Sequence, residues 1–443
     1  MGDSVPTGRF GRMLRPAAVG ARGAAGVAGT WARGLFRDAD AREQAQTERL
    51  IKTAEQAAAL MGEMKGAVMK LGQMLSFADI SALPPEVQTV LASLQADAPP
   101  MAYDLVERVV TDELCAAPDA LFARFSQIPI AAASIGQVHA ATMHDGTEVV
   151  VKVQYPGVAE AIDADLRNTA LLSTLGTLAK AVAGPLMPRT DMKAMTAELR
   201  DRVVEELDYV NEARNQQHFA DLWRGHPTIH VPDVVHELTT RRVLTQHYAD
   251  GMRWAAAVAQ PKELRDAWGE AIYRFVFTSL YRHHVFNADP HPGNYLFHED
   301  GSVTFLDFGC VRVFDDAHID ALRRYITAII EQDANALAAA MTASGWYPPS
   351  GPKTAPARIL EFMTPGYAPV VDAQPFTFTP EWAADMVARQ IGFAPGYQRL
   401  INEMSPPPHY LFLGRITIGL FSVLTGLRAT GDWRAMFDEI QGC

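Results

Sequence analysis

The stretch that decides the fold is FNADPHPGNYLF at residues 286–297, followed by VTFLDFG at residues 303–309. Each stretch joins an apolar run to acid or amide side chains, with Asp289 and Asn294 in the first and Asp307 in the second. Charged groups beside apolar runs are costly unless a partner stabilises them. The pattern therefore predicts that a charged ligand is held at these ends, and a metal ion with a phosphate suits such oxygen ligands.

The spacing of these residues indicates phosphoryl transfer. Asp289 precedes Asn294 by five residues, as in catalytic loops where the acid handles the nucleophile and the amide holds a metal. Asp307 follows 18 residues after Asp289, beyond an apolar strand. We expect Asn294 and Asp307 to bind Mg²⁺, because this ion takes a few protein oxygens together with phosphate oxygens. His291, which lies between two prolines, is interpreted as a residue that shapes the loop.

Composition limits the class of protein. A chain of 443 residues exceeds what one hydrophobic core usually supports, so we expect two lobes. The net charge of -12 argues against broad nucleic-acid binding. The apolar run at residues 410–427 contains Arg415 and is too short to span a bilayer. The three cysteines have no metal-ligand or redox spacing, so we expect no disulfide and no zinc site.

The first residues are basic although the whole chain is acidic. Residues 1–37 contain six arginines and one acid, so this arm could contact an anionic membrane surface. The arm lacks the continuous apolar segment of a secretory signal. The expected location is the cytoplasm, with peripheral membrane contact as the open alternative.

Patterns along the chain predict an α+β protein with two lobes. From Leu50 to Leu75 the apolar positions advance by alternating steps of four and three, which is typical of a packed helix and puts Lys70 and Gln73 on one face. Strand-rich segments on both sides of the turn HDG predict a β-hairpin. The predicted divisions are a basic arm (1–45), a helical extension (46–100), a β-rich N-lobe with a helical insertion (101–250) and a helical C-lobe (251–443).

The hairpin contains a candidate nucleotide loop. The segment AAASIGQV at residues 131–138 matches GxGxxGxV at its glycine and valine, while alanine replaces the first two glycines. VVVK then places Lys152 on the next strand, where an ammonium group could reach nucleotide phosphates. A plain hairpin turn is the alternative for the loop taken alone. The residues expected to contact nucleotide are Ala131, Ala133, Ser134, Gly136, Val138 and Lys152.

Three acids in EELDYVNEARN are candidate catalytic residues. Asp208 and Glu212 are four residues apart and share one helix face, whereas Glu206 and Asp208 point to different sides. A carboxylate from this helix could hold Lys152 in place. A solvated acidic helix face is the alternative reading of these positions.

Six motifs in order resemble the aarF-domain or UbiB family of atypical kinases, which is linked to ubiquinone biosynthesis. The matching motifs are KLGQ (70–73), AAASIGQVH (131–139), VVVK (149–152), ELDYVNEA (206–213), DPHPGN (289–294) and LDFG (306–309). The resemblance implies a bilobal protein-kinase-like fold with a small β-rich N-lobe, a larger helical C-lobe and a KxGQ helix over the active site. The cofactors it implies are ATP and Mg²⁺.

The resemblance also implies roles for individual residues. Lys152 would bind phosphates and pair with Glu212, while Asp289 would orient or deprotonate the nucleophile. Lys70, on the gating KxGQ helix together with Gln73, would contact Glu206. Asn294 and Asp307 would bind Mg²⁺.

The implied function is an atypical kinase or ATPase that supports quinone-lipid synthesis by hydrolysing ATP or phosphorylating a small molecule. Its expected partners are ATP or ADP, quinone-pathway enzymes or lipid precursors, and an anionic membrane, with no nucleic acid. Two alternatives stay open, a phosphotransferase of the aminoglycoside or choline kinase type and a nucleotide-binding scaffold without turnover. Neither accounts for all of the motifs, since the first lacks KLGQ and the second does not need intact acids.

Overall fold

A computed structural model of the chain describes residues 101–133, 135–160, 207–287, 290–390 and 396–442. These residues form two compact units. The first contains described residues up to 160 with Leu207 and 240–244, and the second contains 208–239 and the described residues from 245 onward. The sequence-based division placed residues 208–239 in the N-lobe instead. The predicted basic arm and helical extension lie outside the described residues.

The first unit combines two helices with a β-sheet. Its elements are helices α1 (Tyr103–Leu114) and α2 (Pro118–Leu121) and strands β1 (Arg124–Phe125), β2 (Ala131–Ala133), β3 (Gly136–Thr142) and β4 (Glu148–Gln154). Helix α1 buries Val106, Val109 and Val110, whose spacing puts them on one face. Its C-cap residue is Cys115, which has a left-handed conformation with φ 57°.

The second unit is mainly helical. Its helices are α3 (Tyr209–Leu222), α4 (Trp254–Ala257), α5 (Lys262–His283), α6 (Asp316–Ile330), α7 (Ala334–Ala343), α8 (Pro356–Met363), α9 (Ala368–Val371), α10 (Pro380–Gln390), α11 (Gln398–Glu403), α12 (Pro408–Leu427) and α13 (Trp433–Gln441). The remaining strands are β5 (Ile229–His230), β6 (Val243–His247), β7 (Val285–Asn287), β8 (Tyr295–Phe297), β9 (Val303–Phe305), β10 (Val311–Val313), β11 (Phe376–Thr377) and β12 (Thr430–Gly431). Short 3₁₀ helices occur at His236–Leu238, Pro292–Asn294 and Thr364–Tyr367.

The predicted hairpin is confirmed by strands β3 and β4, which pair antiparallel from Gly136 opposite Gln154 to Thr142 opposite Glu148. The sheet has the order β1-β3-β4-β6, and β2 also pairs with β3. Only the first two residues of β6 belong to the first unit. The three alanines were expected in a loop, but they form strand β2, because each lies opposite a residue of β3 in an antiparallel register.

The core of the second unit surrounds helix α5, whose Trp268, Ile272 and Phe275 are buried. Phe275 stacks on Phe305 of β9 with ring centroids 3.7 Å apart. Strand β9 pairs antiparallel with β8 and parallel with β5. In the described part of the chain, no helix has both the length and the hydropathy needed to cross a bilayer. Helix α12 instead packs inside this unit, with Leu420 and Leu424 fully buried.

Candidate active site

In the first unit, the hairpin register places the proposed nucleotide residues on one face. Val138 lies opposite Lys152 on β4 and opposite Ala131 on β2. Side chains directly opposite in a sheet share a face, so Ala131, Val138 and Lys152 form one row. Val138 and Lys152 are both partly exposed, whereas the alternate residues Val151 and Val153 are fully buried. Alternation along the strands therefore separates the Lys152 face from the buried face.

Gly136 lies where two backbones come close. A Cβ atom at this position would stand 2.2 Å from the carbonyl oxygen of Val153 on β4. Such an approach leaves room only for a glycine. The glycine of the candidate nucleotide loop is thus explained by the packing of its own sheet, and no ligand needs to be invoked.

In the second unit, Asp208 is the N-cap residue of helix α3. The Asp208 carboxylate accepts hydrogen bonds from the backbone N–H groups of Val210 and Asn211 at 3.0 and 3.3 Å. This is the N-cap arrangement that satisfies the unpaired donors of a helix start. Asp208 therefore has a local capping contact, and its catalytic role stays a prediction. Glu212 lies one turn further on and is buried, with 3% of its surface exposed.

The β8–β9 hairpin brings two proposed metal ligands together. Tyr295 pairs with Phe305, and the backbone N–H of Leu306 donates to the carbonyl oxygen of Asn294 at 3.0 Å. Asn294 precedes Tyr295 and Asp307 follows Leu306, so both lie at the same end of the hairpin. The amide and the carboxylate thus come from the two strand ends of one hairpin.

The LDFG segment is held by side-chain amides that the sequence reasoning missed. Asn287 on β7 donates to the carbonyl oxygen of Asp307 at 2.7 Å, and Asn215 on α3 donates to the carbonyl oxygen of Phe308 at 3.0 Å. The Asp307 carboxylate also accepts from the backbone N–H of Gly309 at 3.0 Å. Asn287 lies two residues before Asp289, and Asn215 is the last residue of EELDYVNEARN, so both belong to segments already singled out. Their spacing alone gave no reason to assign them a partner.

Phe308 is the apolar anchor of the same segment. Its side chain is fully buried. The ring packs against Phe219 of α3 with centroids 5.0 Å apart and against Phe275 of α5 at 6.5 Å. Burial of this ring fixes the backbone next to Asp307.

His291 has a local structural contact. Its Nδ1 accepts a hydrogen bond from the backbone N–H of Gly293 at 3.0 Å, which caps the 3₁₀ helix Pro292–Asn294. Since Nδ1 is an acceptor here, it is unprotonated. This contact supports the interpretation of His291 as a residue that shapes the loop leading to Asn294.

Five of the predicted site residues lie outside the described residues. They are Lys70, Gln73, Ser134, Glu206 and Asp289. Their assigned roles stay predictions.

Asn294 and Asp307 offer oxygen donors of the kind that Mg²⁺ takes in proteins. Within the ranges that the structure describes, no group of three or more His, Cys, Asp or Glu side chains is placed to hold a metal ion. A Mg²⁺ ion that takes phosphate oxygens does not need such a group, because one or two protein oxygens are enough. Asn294 and Asp307 supply oxygens of that kind at one end of a hairpin.

A β-sheet with a lysine strand, a helix capped by Asp208 and an Asn–Asp pair before an anchored phenylalanine are features of protein-kinase-like folds. Residues 93–341, more than half of the chain, match the ABC1 atypical kinase-like domain. The chain belongs to this ABC1 family, which confirms the predicted α+β kinase-like class and the aarF/UbiB resemblance.

Several curated proteins are similar to this chain. Atypical kinase COQ8, mitochondrial, of Saccharomyces cerevisiae is 31% identical over 85% of this chain and 74% of its own length. Atypical kinase COQ8B, mitochondrial, of Rattus norvegicus is 33% identical over 66% of this chain. Atypical kinase coq-8, mitochondrial, of Caenorhabditis elegans is 29% identical over 87% of this chain. The chain spans about half the length of the rat and nematode proteins, with 52% and 50% covered.

A solved structure has the same fold. The complex of Rv3197 with erythromycin from Mycobacterium tuberculosis superposes with a TM-score of 0.65 at 29% sequence identity. The match covers 90% of this chain and 98% of that chain. The similarity thus extends over nearly the whole of both chains.

Proposed function

We propose that this chain is an atypical kinase or ATPase that binds a Mg²⁺–nucleotide complex. Asn294 and Asp307 would hold the metal, Lys152 would contact the phosphates and Asp289 would orient or deprotonate the nucleophile. The observation that carries the proposal is the position of Asn294 and Asp307 at the same end of the β8–β9 hairpin.

The proposed roles follow from the chemistry of the individual side chains. In the first unit, the ammonium group of Lys152 on strand β4 would neutralise phosphate charge, and the row formed with Val138 and Ala131 would present an apolar surface to the nucleotide. In the second unit, the oxygens of Asn294 and Asp307 would position the ion. Bound Mg²⁺ supplies stabilisation of the charge on the transferring phosphoryl group.

The anchoring of LDFG supports a rigid metal ligand. The carbonyl oxygens of Asp307 and Phe308 both accept hydrogen bonds from side-chain amides, and the Phe308 ring is buried. Preorganised groups stabilise a transition state without reorganisation at the moment of reaction. The second unit is therefore built to hold the Asp307 carboxylate in one place.

The biological setting is part of the proposal. We infer a role in quinone-lipid biosynthesis from the family resemblance, with quinone-pathway enzymes or lipid precursors as partners. Lys70 and Gln73 of the KxGQ helix would gate the acceptor side, with Lys70 bound to Glu206 and Glu212 paired with Lys152. The basic arm at residues 1–45 would contact anionic membrane from the cytoplasm.

Thermal unfolding with and without Mg²⁺ and nucleotide tests the proposal. Wild type should be stabilised by MgADP or MgATP but much less by nucleotide with EDTA, and a ligand at a hundred times its Kd contributes about 2.7 kcal/mol. Asp307→Asn should lose the metal-dependent part. Asp316→Asn is the matched control, because the Asp316 side chain is 92% exposed at the start of helix α6.

ATP turnover, measured with and without a phenolic or lipid additive, separates the alternatives. If wild type turns over ATP and Asp307→Asn does not, the result supports an enzyme. Stabilisation by nucleotide without turnover under any condition would favour the scaffold. Equal stabilisation of wild type and Asp307→Asn by Mg-nucleotide would overturn the metal assignment.

A further inference from the structure

Two polar side chains are enclosed within the first unit. Gln137 and His139 on strand β3 are 1% and 0% exposed. They are two residues apart, so they point to one face of the sheet, and Val138 between them points to the other face. Because Val138 shares its face with Lys152, neither Gln137 nor His139 lies on the proposed nucleotide face. Buried polar groups destabilise a fold unless they are hydrogen-bonded.

The backbone of Met101 determines how the Gln137 amide is oriented. The Met101 N–H group can only donate, so the atom that it meets at 2.8 Å must be the acceptor Oε1 of Gln137. The amide nitrogen Nε2 of Gln137 then faces the Met101 carbonyl oxygen at 3.3 Å and His139 Nε2 at 2.9 Å. Gln137 thus binds both polar groups of the Met101 backbone.

This orientation determines the protonation of His139. The Gln137 amide nitrogen is a donor, so His139 Nε2 must be an unprotonated acceptor. The proton of a neutral ring is then on Nδ1, which donates to the Ser126 carbonyl oxygen at 2.7 Å. The ring also stacks on Phe125 with centroids 5.3 Å apart. Burial lowers the pKa of His139, which agrees with a neutral ring.

Ser126 begins the segment that leads to the alanine strand. Its N–H group donates to the Ala140 carbonyl oxygen at 2.8 Å, and the N–H group of Ile130 donates to the Val138 carbonyl oxygen at 2.8 Å. Strand β2 starts at the next residue, Ala131. The short segment 126–130, which connects the Ser126 contact of His139 to strand β2, is therefore hydrogen-bonded to β3 at both ends.

We propose that Gln137 and His139 are positioning residues that tie the backbones of Met101 and Ser126 to strand β3 and thereby hold the alanine strand in place. The predicted consequence for nucleotide affinity rests on the proposed function, but the two backbone attachments do not. Two apolar side chains of similar volume would fill the same space, but they could not hydrogen-bond to the backbone of Met101 or of Ser126. Unlike packing alone, the proposal requires a particular tautomer of His139.

Nitrogen-15 NMR of histidine-labelled wild type at neutral pH tests the tautomer. His139 should show a protonated Nδ1 and an unprotonated Nε2, and its resonances are identified by their loss in His139→Asn. A ring protonated at Nε2 would overturn the proposal. In Gln137→Glu, the carboxylate can still accept from Met101 but cannot donate to His139, so the His139 spectrum should change to the imidazolium form. An unchanged spectrum in that variant would also contradict the hydrogen bond from Gln137 to His139.

Hydrogen exchange tests the attachments directly. In Gln137→Leu, the Met101 amide should exchange about tenfold faster than in wild type, since it loses its side-chain acceptor. In His139→Phe, residues 126–133 should also lose protection, because no side chain then donates from this position to the Ser126 carbonyl oxygen. Gln154→Leu is the matched control, because Gln154 is 1% exposed on β4 and donates to the Leu207 and Arg241 carbonyl oxygens instead.

Nucleotide affinity completes the experiment. Gln137→Leu should bind ADP about three- to tenfold more weakly than wild type, as expected for a hydrogen bond that acts through the backbone. Unchanged Met101 exchange in folded Gln137→Leu would refute the attachment. If wild type binds no nucleotide, the proposed function fails, and the exchange and NMR results still decide whether Gln137 and His139 position the backbone.

Discussion

Asn287 donates a hydrogen bond to the carbonyl oxygen of Asp307 at 2.7 Å, from a strand that ends two residues before Asp289. Asn215 binds the next carbonyl oxygen, that of Phe308, from helix α3. Two consecutive peptide groups are thus held by side chains from two different elements. The direction of the Asp307 side chain therefore depends on packing outside its own hairpin.

Replacing these amides should weaken metal-dependent nucleotide binding. Asn287→Ala leaves the Asp307 carbonyl oxygen without this donor, which we expect to cost about 1 kcal/mol and several-fold in Mg-nucleotide affinity. Isothermal titration with and without Mg²⁺ measures the effect. Asn335→Ala, at an exposed position in helix α7, should bind like wild type. A loss of affinity as large without Mg²⁺ as with it would show that Asn287 does not act through the metal ligand.

Helix α12 should influence the DPHPGN loop through Gly419. A Cβ atom at Gly419 would lie 2.7 Å from Cγ of Pro290. Gly419→Ala should push this loop away from the helix, lower the stability by about 1–3 kcal/mol and reduce ATP turnover by roughly tenfold.

Gly414 is the control on the same helix, because a Cβ atom there would have no atom within 4 Å. Gly414→Ala should stabilise the protein by up to about 1 kcal/mol and keep full turnover. Equal turnover in the two variants would mean that the packing of Gly419 against Pro290 has no part in activity.

Gly136→Ala should destabilise the sheet of the first unit. The added Cβ atom would stand 2.2 Å from the Val153 carbonyl oxygen, a backbone atom that cannot shift without disturbing the β3–β4 pairing. We expect the free energy of unfolding, measured by chemical denaturation, to fall by about 1–3 kcal/mol. Gly366→Ala, where a Cβ atom has no atom within 4 Å, should stay near wild type. Two equally stable variants would contradict the close approach.

Stability should fall as the pH is lowered through the range in which unfolded histidines take up a proton. Burial lowers the pKa of His139, so the unfolded chain binds this proton first, at about pH 6.5. The contribution of the neutral ring is therefore complete above about pH 6.5 and is lost as the pH falls from there toward the lower folded pKa. Burial also lowers the pKa values of His226, His230 and His283.

Denaturation of wild type and His139→Phe between pH 7.5 and 5 isolates one histidine from the others. Each proton contributes a slope of at most about 1.4 kcal/mol per pH unit. His139→Phe should show a smaller slope than wild type. An identical slope would mean that His139 does not take up its proton on unfolding in this range.

Local patterns in the sequence predicted the elements that depend on neighbours along the chain. The turn HDG between two β-branched runs specified the β3–β4 hairpin, since alternation and turn chemistry act over a few residues. Short apolar runs likewise predicted a strand at Lys152. They also predicted that acid and amide groups lie next to the strands that the structure describes as β8 and β9. Six ordered motifs were enough to identify the family.

Tertiary structure alone decided which side chains hold those elements in position. Asn215 and Phe308 are separated by 93 residues, and Met101 and Gln137 by 36. Asp208 lies two and three residues before its capping partners Val210 and Asn211, so this contact is local. The sequence alone did not distinguish this helix cap from a role in ligand binding. A hydrogen bond between distant segments depends on how the whole unit packs. Short-range periodicity in the sequence does not predict it, because that periodicity reflects only neighbours along the chain.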